Sequence, residues 1–151
     1  MHFVWIPIVG ALSDRVGRRP LYLTGAVGVA VWSFVFFDLL DAGTPGKTIL
    51  AIVVGLMLHA LMYAPQAAFF TELFGTSVRY TGASVGYQLA GVFGAALSPI
   101  IAASLFEIFK SGYAIALYVA LNAVISVIAV ALIPESRGTD IIEDVEHAAI
   151  A

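Results

Sequence analysis

Cysteine is absent from this 151-residue sequence, and charged residues are few. Without cysteine the chain has no disulfide bond, no thiolate metal ligand and no cysteine nucleophile. Charged residues make up 11% of the chain, which is less than half of their usual share in soluble domains. The few basic residues form no patch with interleaved aromatic side chains, so nucleic acid is excluded as an expected partner.

Apolar residues, in contrast, make up 61% of the sequence. A soluble domain of this length cannot bury so much apolar surface in its own core, whereas lipid can solvate it. We therefore expect an integral membrane protein whose main partner is the lipid bilayer.

Charged and turn residues divide the chain into apolar segments at about residues 1–12, 21–40, 48–70, 82–106 and 112–133. A hydrocarbon core of about 30 Å requires about 20 helical residues, so the last four segments are long enough to span it. The first is too short and reads as a span whose beginning is missing. Because the segments are apolar throughout and do not alternate with period two, helices are favoured over barrel strands. The sequence predicts an all-α bundle of four full transmembrane helices plus a truncated one over residues 1–133.

The basic residues indicate the orientation of this bundle. One set of connections, together with the C-terminal tail, carries five arginines, whereas the opposite connections carry only Lys47 and Lys110. Arginine-rich and lysine-rich loops face the cytoplasm. We therefore expect a multi-pass protein of the plasma or inner membrane, with an acidic cytoplasmic tail at 134–151 that forms either a short surface helix or a disordered segment.

The first connection, an eight-residue loop expected at 13–20, belongs to the strongest motif, GALSDRVGRRP over residues 10–20. Gly10 and Gly17 permit a tight turn, and the Asp14 carboxylate can meet an arginine or a helix N-terminus. The arginines of the motif can pair with carboxylates or lipid phosphates; they are Arg15, Arg18 and Arg19. Read without further context, the motif is an ordinary positively charged cytoplasmic loop.

This motif resembles the signature loop of the major facilitator superfamily, G-x-x-x-D-R-x-G-R-R, and every fixed position matches. Residues 70–82 are similar to the connection between spans ten and eleven of that family, and residues 134–138 to the segment after span twelve. The order of the three motifs places the chain at spans eight to twelve. Residues 63–98 most resemble the metabolite:proton symporters.

The resemblance implies a partial C-terminal half of a transporter helix bundle, with no cofactor or metal. It implies proton-coupled symport of a small organic metabolite by the complete transporter, whose N-terminal half would be the missing partner. In that family, charged residues at the cytoplasmic face latch the two halves together. Besides Asp14 and Arg15, the matching residues here are Glu72, Arg79, Glu135 and Arg137. An exposed ion pair contributes only about 0–1 kcal/mol, so a network confined to this chain would be a weak latch.

Polar residues inside the spans are the candidates for a substrate cavity. His59, Tyr63 and Gln66 share one helical face at i, i+4 and i+7. Polar groups at membrane depth face protein or a water-filled cavity, so we predict that they line a cavity, which Tyr87 and Gln88 border near its cytoplasmic mouth. The alternative is that His59 only hydrogen-bonds a neighbouring helix.

Other polar and small residues are expected to hold helices together. Tyr118, Asn122 and Ser126 share a face of the last segment and are predicted to link helices. Small residues recur every four positions in the fourth segment, where they predict close helix packing or a sliding seam; they are Gly82, Gly86, Ala90, Gly94 and Ser98.

Two other functions compete with transport. An intramembrane enzyme is disfavoured, because no Ser–His or His–His arrangement with useful spacing occurs inside the spans. The alternative that stays open is a non-transporting membrane interaction protein, a remnant or split half that docks on a partner chain.

Overall fold

The computed structural model describes residues 2–72 and 79–132. These residues form α1 (His2–Val16), α2 (Arg18–Asp41), α3 (Pro45–Glu72), α4 (Arg79–Ala90), a π-helical segment (Gly91–Ala96), α5 (Ser98–Phe109) and α6 (Gly112–Leu132). Helices α2 and α6, most of α3, and the continuous span 80–109 are long and apolar enough to cross a membrane. The predicted all-α membrane bundle is therefore confirmed. Helix α1 has 15 residues, fewer than the about 20 that a full span requires.

Helices α2 and α3 form the tightest pair because small residues line their contact. A methyl group added at Gly25 would lie 2.8 Å from Cγ of Met62 and 3.1 Å from its backbone nitrogen. Ala26 on α2 and Ala60 on α3 are fully buried. Trp32 extends across the same contact and donates from Nε1 to the Ala51 carbonyl at 3.1 Å.

Helix α6 lies antiparallel on the other side of α2, and polar contacts join the two helices along their length. Arg19 donates to the Ala131 carbonyl at 2.5 Å at one end, and the Tyr113 hydroxyl donates to Asp38 at the other. Between them, the buried Ser33 hydroxyl lies 3.2 Å from the Ala116 carbonyl. These contacts fix the position of α6 relative to α2.

The fourth span is interrupted by its π-helical segment. Pro99 lacks a backbone N–H, so the carbonyl of Ala95 loses the donor that a continuous α-helix would supply. The Ser98 hydroxyl donates to the neighbouring Gly94 carbonyl. Helix α5 then continues with a bond from Ile101 N to the Leu97 carbonyl at 3.0 Å.

This span is held to the rest of the bundle only near its two ends. Among the described residues, α4 packs against α3, and α5 packs against α6. No residue of its apolar window is buried, whereas 17% of the corresponding windows of α2, α3 and α6 is buried. One side of the bundle is consequently uncovered.

Candidate functional site

A crevice of about 530 Å³ separates the fourth span from the core of the bundle. It lies between α2, α3, α5 and α6, near the middle of these helices. Its walls are mainly apolar, with Trp32 and Phe36 on α2, Met62 on α3 and Ala102 on α5. Six polar side chains other than Trp32 line it as well: Ser33, His59, Ser98, Tyr118, Asn122 and Ser126.

An aromatic cluster joins the crevice to α4. The rings of His59 and Tyr63 stack, with centroids 5.6 Å apart and planes inclined by 23°. The polar groups of Tyr63 and Tyr87 also interact. Three of the five predicted cavity residues are therefore in contact, and they connect α3 to α4. A stacked imidazole beside two phenols offers donors and acceptors at membrane depth, which an organic solute can use.

The other two predicted cavity residues do not join this cluster. Gln66 is half-buried near the end of α3, and Gln88 is exposed on α4. Neither amide has a hydrogen-bond partner within residues 2–72 and 79–132. Both stay predictions as cavity residues.

The polar stripe of α6 faces the crevice. The hydroxyls of Tyr118 and Ser98 lie 3.2 Å apart and connect α6 to α5. Asn122 donates from Nδ2 to the Tyr118 carbonyl at 2.8 Å, and Ser126 donates to the Asn122 carbonyl at 2.9 Å. Of these residues, Tyr118 links α6 to α5, and Ser126 interacts with Tyr22 of α2, as the sequence predicted for the stripe. Asn122 is bonded within α6 and is exposed.

The arginine-rich motif is almost wholly helical, which corrects the expectation of an eight-residue loop. Helix α1 continues through Gly10 and Asp14 to Val16, and α2 begins at Arg18. Gly17 alone makes the turn, with φ of 110°, a backbone region that favours glycine.

The predicted charge network can be followed only in part. Arg18 lies 3.5 Å from Asp14 across the turn, and Arg19 caps the end of α6 through the Ala131 carbonyl. Arg15 is exposed on the last turn of α1. The rest of the proposed network lies outside the part that the structure describes: Glu135, Arg137 and the side chains of Glu72 and Arg79.

Comparison with known proteins identifies the family. The model of the family described as sugar (and other) transporter matches residues 1–146. The chain belongs to this transporter family, within the major facilitator superfamily. The shikimate transporter of Escherichia coli (strain K12) is 36% identical over 134 residues, which are 87% of this chain and 31% of that protein. The inner membrane metabolite transport protein YhjE of the same organism is 38% identical over 135 residues, which are 89% of this chain and 30% of that protein.

The chain aligns along most of its own length but with only part of each relative. A putative metabolite transport protein of Haemophilus influenzae (strain ATCC 51907) is 32% identical over 142 residues, or 93% of this chain and 32% of the relative. The chain thus spans about a third of the length of the curated relatives that it matches. No solved structure matches it.

Sequence reasoning about this transporter-family chain missed the packing of α2. Gly25 and Gly28, three residues apart in the second segment, are also a small-residue signal, and both lie directly against α3. In contrast, a methyl group at Gly86 or Gly94 would meet nothing within 4 Å among the described residues. The stripe that contains Gly82, Ala90 and Ser98 therefore stays a prediction for contacts with a further helix.

Proposed function

We propose that this chain is the part of a secondary transporter that contributes one side of a substrate pathway for a small organic metabolite. The match of the transporter family to residues 1–146 carries the proposal. Relatives named as shikimate and metabolite transport proteins support an organic metabolite as the solute. Proton coupling follows from the likeness of residues 63–98 to metabolite:proton symporters.

The aromatic cluster of His59, Tyr63 and Tyr87 is the proposed solute-contacting surface. It combines stacking faces with hydrogen-bonding edges, which a flat or ring-shaped organic acid can use together. Tyr63 and Tyr87 are 45% and 54% exposed, so both are accessible to a solute from the uncovered side of the bundle. Gln66 and Gln88 supply further donors and acceptors along the same two helices.

The proposed placement is the inner or plasma membrane with the arginine-bearing turn at Gly17 and the C-terminus in the cytoplasm. The name of one relative, an inner membrane protein, supports this location. The bias of arginine toward one set of connections supports the orientation. A cysteine introduced into the tail, at Ser136, and labelled only after the membrane is permeabilised would confirm it.

A chimera tests the transport proposal directly. The 134 residues of the Escherichia coli shikimate transporter that match this chain are replaced by it, and uptake of radiolabelled shikimate is measured in cells without that transporter. We expect uptake above background that a protonophore abolishes. A chimera that reaches the membrane in folded form but takes up neither shikimate nor other hydroxylated carboxylic acids would contradict the proposal.

The same uptake assay can test whether the aromatic cluster contributes to transport. In an active chimera, His59→Ala should lower uptake about fivefold or more, since one hydrogen bond is worth about 1 kcal/mol. Ile128→Ala is the matched control, because Ile128 is 55% exposed on the outer face of α6. Equal uptake by both variants would remove His59 from the pathway.

A docking role without transport is the second candidate, because the matched relatives are about three times as long as the aligned region. The chain alone in proteoliposomes separates the two roles. We expect no saturable uptake from it, and robust saturable uptake would mean that it needs no further segments.

A further inference from the structure

The aromatic cluster of His59, Tyr63 and Tyr87 presents ring faces and polar edges to the space beside α3 and α4. All three side chains are exposed. The imidazole of His59 stacks on the ring of Tyr63, with centroids 5.6 Å apart, and the polar groups of Tyr63 and Tyr87 interact. The cluster therefore keeps aromatic faces, phenol hydroxyls and an imidazole edge accessible in one place.

The basic residues on the helices that carry the cluster lie near the helix ends. Lys47 is near the start of α3, twelve positions before His59, and Arg79 begins α4, eight positions before Tyr87. Because a helix rises about 1.5 Å per residue, these backbone positions are about 18 Å and about 12 Å from the cluster along the helix axes. Neither position is beside the aromatic rings.

The arginines of the neighbouring helix α2 are directed elsewhere. Arg18 lies 3.5 Å from Asp14, and Arg19 donates to the Ala131 carbonyl at the end of α6. An ionised carboxylate that leaves water loses its hydration and requires a cationic partner to compensate. Within residues 2–72 and 79–132, no lysine or arginine occupies a position beside the cluster that would supply this partner.

A hydroxylated ring, in contrast, is complementary to the cluster. Its C–H faces are apolar and can stack on the exposed aromatic rings, as other apolar groups do. Its hydroxyl groups both donate and accept hydrogen bonds, and so do a phenol hydroxyl and a neutral imidazole. The hydroxyl groups of a solute are therefore matched without a charge on either side.

We infer that His59, Tyr63 and Tyr87 recognise the uncharged, hydroxyl-bearing ring of the solute and select for its hydroxyl groups, whereas the carboxylate of the solute is turned away from them. The inference rests on the proposed function for the presence of an organic solute, but it concerns the chemical group that this surface contacts. It makes the cluster a determinant of hydroxyl specificity.

Binding of three compounds to the shikimate transporter chimera tests this inference. Membranes that contain the chimera bind radiolabelled shikimate. Competition then gives the Kd of methyl shikimate, which lacks the charge, and of cyclohex-1-ene-1-carboxylate, which lacks the hydroxyl groups. Tyr63→Phe and Tyr87→Phe each remove one hydroxyl and keep the ring. We expect each to raise the Kd of shikimate and of methyl shikimate about fivefold, as the loss of one hydrogen bond does, and to change that of the cyclohexene acid less than about twofold.

Two further variants serve as controls. Tyr80 is 84% exposed on α4, seven positions before Tyr87, so Tyr80→Phe should leave all three Kd values unchanged. His59→Gln keeps hydrogen-bonding groups but cannot take up a proton, and should leave the ratio of the methyl shikimate Kd to the shikimate Kd unchanged. The number of binding sites per chimera molecule shows whether each variant is folded. If one tyrosine variant does not reach the membrane, the other provides the same test.

Three results would overturn the inference. An equal rise in the Kd of all three compounds would mean that the tyrosines only shape the site. An unchanged Kd of shikimate in both tyrosine variants would remove their hydroxyls from solute recognition. A lower ratio of the methyl shikimate Kd to the shikimate Kd in His59→Gln would make His59 the partner of the carboxylate.

Failure of this inference differs from failure of the proposed function. If the chimera takes up shikimate and gives any of these three results, the inference about hydroxyl groups fails alone. If the chimera binds the three compounds in the expected pattern but takes up none, the transport proposal fails alone. A chimera that is folded in the membrane and binds none of the three compounds would contradict both.

Discussion

The two sides of this bundle are made of similarly apolar helices, yet they are packed differently. Helices α2, α3 and α6 share buried glycines, alanines and interhelical hydrogen bonds, whereas α4, the π segment and α5 have no residue of their apolar window buried. In lipid, apolar surface alone does not bring helices together, since the surrounding acyl chains are as apolar as leucine. The difference in packing therefore depends on the small residues: those of α2 and α6 lie against a partner helix, whereas Gly86 and Gly94 of the fourth span do not contact one among the described residues.

The comparison also separates structural residues from candidate functional ones. Ser33 and Trp32 lie in the packed region, and each uses its polar group across a helix contact. His59, Tyr63 and Tyr87 lie at its border with the fourth span. The His59 and Tyr63 rings stack there, Tyr63 interacts with Tyr87, and both tyrosines are exposed. A solute or a partner helix can reach the second group without disturbing the first.

The largest effect is expected from a methyl group added at the packed contact between α2 and α3, compared with the same change in the fourth span. Gly25→Ala places Cβ 2.8 Å from Cγ of Met62 and 2.9 Å from Cβ of Leu61, so overpacking should lower the free energy of unfolding by about 1–3 kcal/mol. Gly86→Ala is the matched control, because its Cβ meets no described atom within 4 Å. The measurement is unfolding in detergent, followed by tryptophan fluorescence.

The control is informative because both substitutions add the same helix propensity, about 0.5–1 kcal/mol in favour of the folded state. Only the packing differs between them. If Gly86→Ala destabilises the isolated chain as much as Gly25→Ala, the fourth span is packed as tightly as α2, and the contrast between the two regions is wrong.

A smaller effect is expected from the buried hydrogen bond between α2 and α6. Ser33→Ala removes a hydroxyl that contacts the carbonyls of Ala30 at 2.8 Å and Ala116 at 3.2 Å. Interhelical bonds of this kind contribute about 0.6 kcal/mol on average, and at most about 2 kcal/mol, in membrane proteins. We expect the free energy of unfolding to fall by about 1 kcal/mol.

Thr24→Val is the control for Ser33→Ala, since the exposed Thr24 hydroxyl bonds only the Pro20 carbonyl of its own helix, at 2.8 Å. Stability of the Ser33→Ala variant within error of this control would mean that the Ser33 hydroxyl does not help to hold α6 against α2. The position of α6 would then depend more on packing such as that at Gly112, where an added methyl group would clash with the Phe37 ring.

The helices themselves could be predicted from the sequence because the bilayer fixes their length and apolar character. Their contacts could not be predicted, because small residues spaced by three or four positions occur on packed and on uncovered helices alike. Gly25 and Gly28 meet α3, while Gly86 and Gly94 meet no described atom. The local sequence of a helix does not determine which other helix will pack against it.

The candidate site was predictable to the extent that it lies on single helices. The i, i+4 spacing of His59 and Tyr63 gives their stacking directly. The addition of Tyr87 depends on how α4 crosses α3, and the crevice depends on four helices together. The eight-residue loop was wrong because one glycine with positive φ reverses the chain, so the flanking charged residues remain helical.

The smallest expected effect concerns the side-chain contact that joins α5 to α6. Tyr118→Phe removes the hydroxyl 3.2 Å from that of Ser98, while the aromatic ring stays on the crevice wall. Global stability should change by less than about 1 kcal/mol, because α5 contributes little buried surface.

Amide hydrogen exchange in α5 should nevertheless rise, since the helix loses a link to its neighbouring helix. Tyr113→Phe removes the bond to Asp38 between α2 and α6, where packing around Gly112 remains, and should leave exchange in α5 unchanged. If the two variants exchange alike in α5, the contact between Tyr118 and Ser98 does not restrain the fourth span.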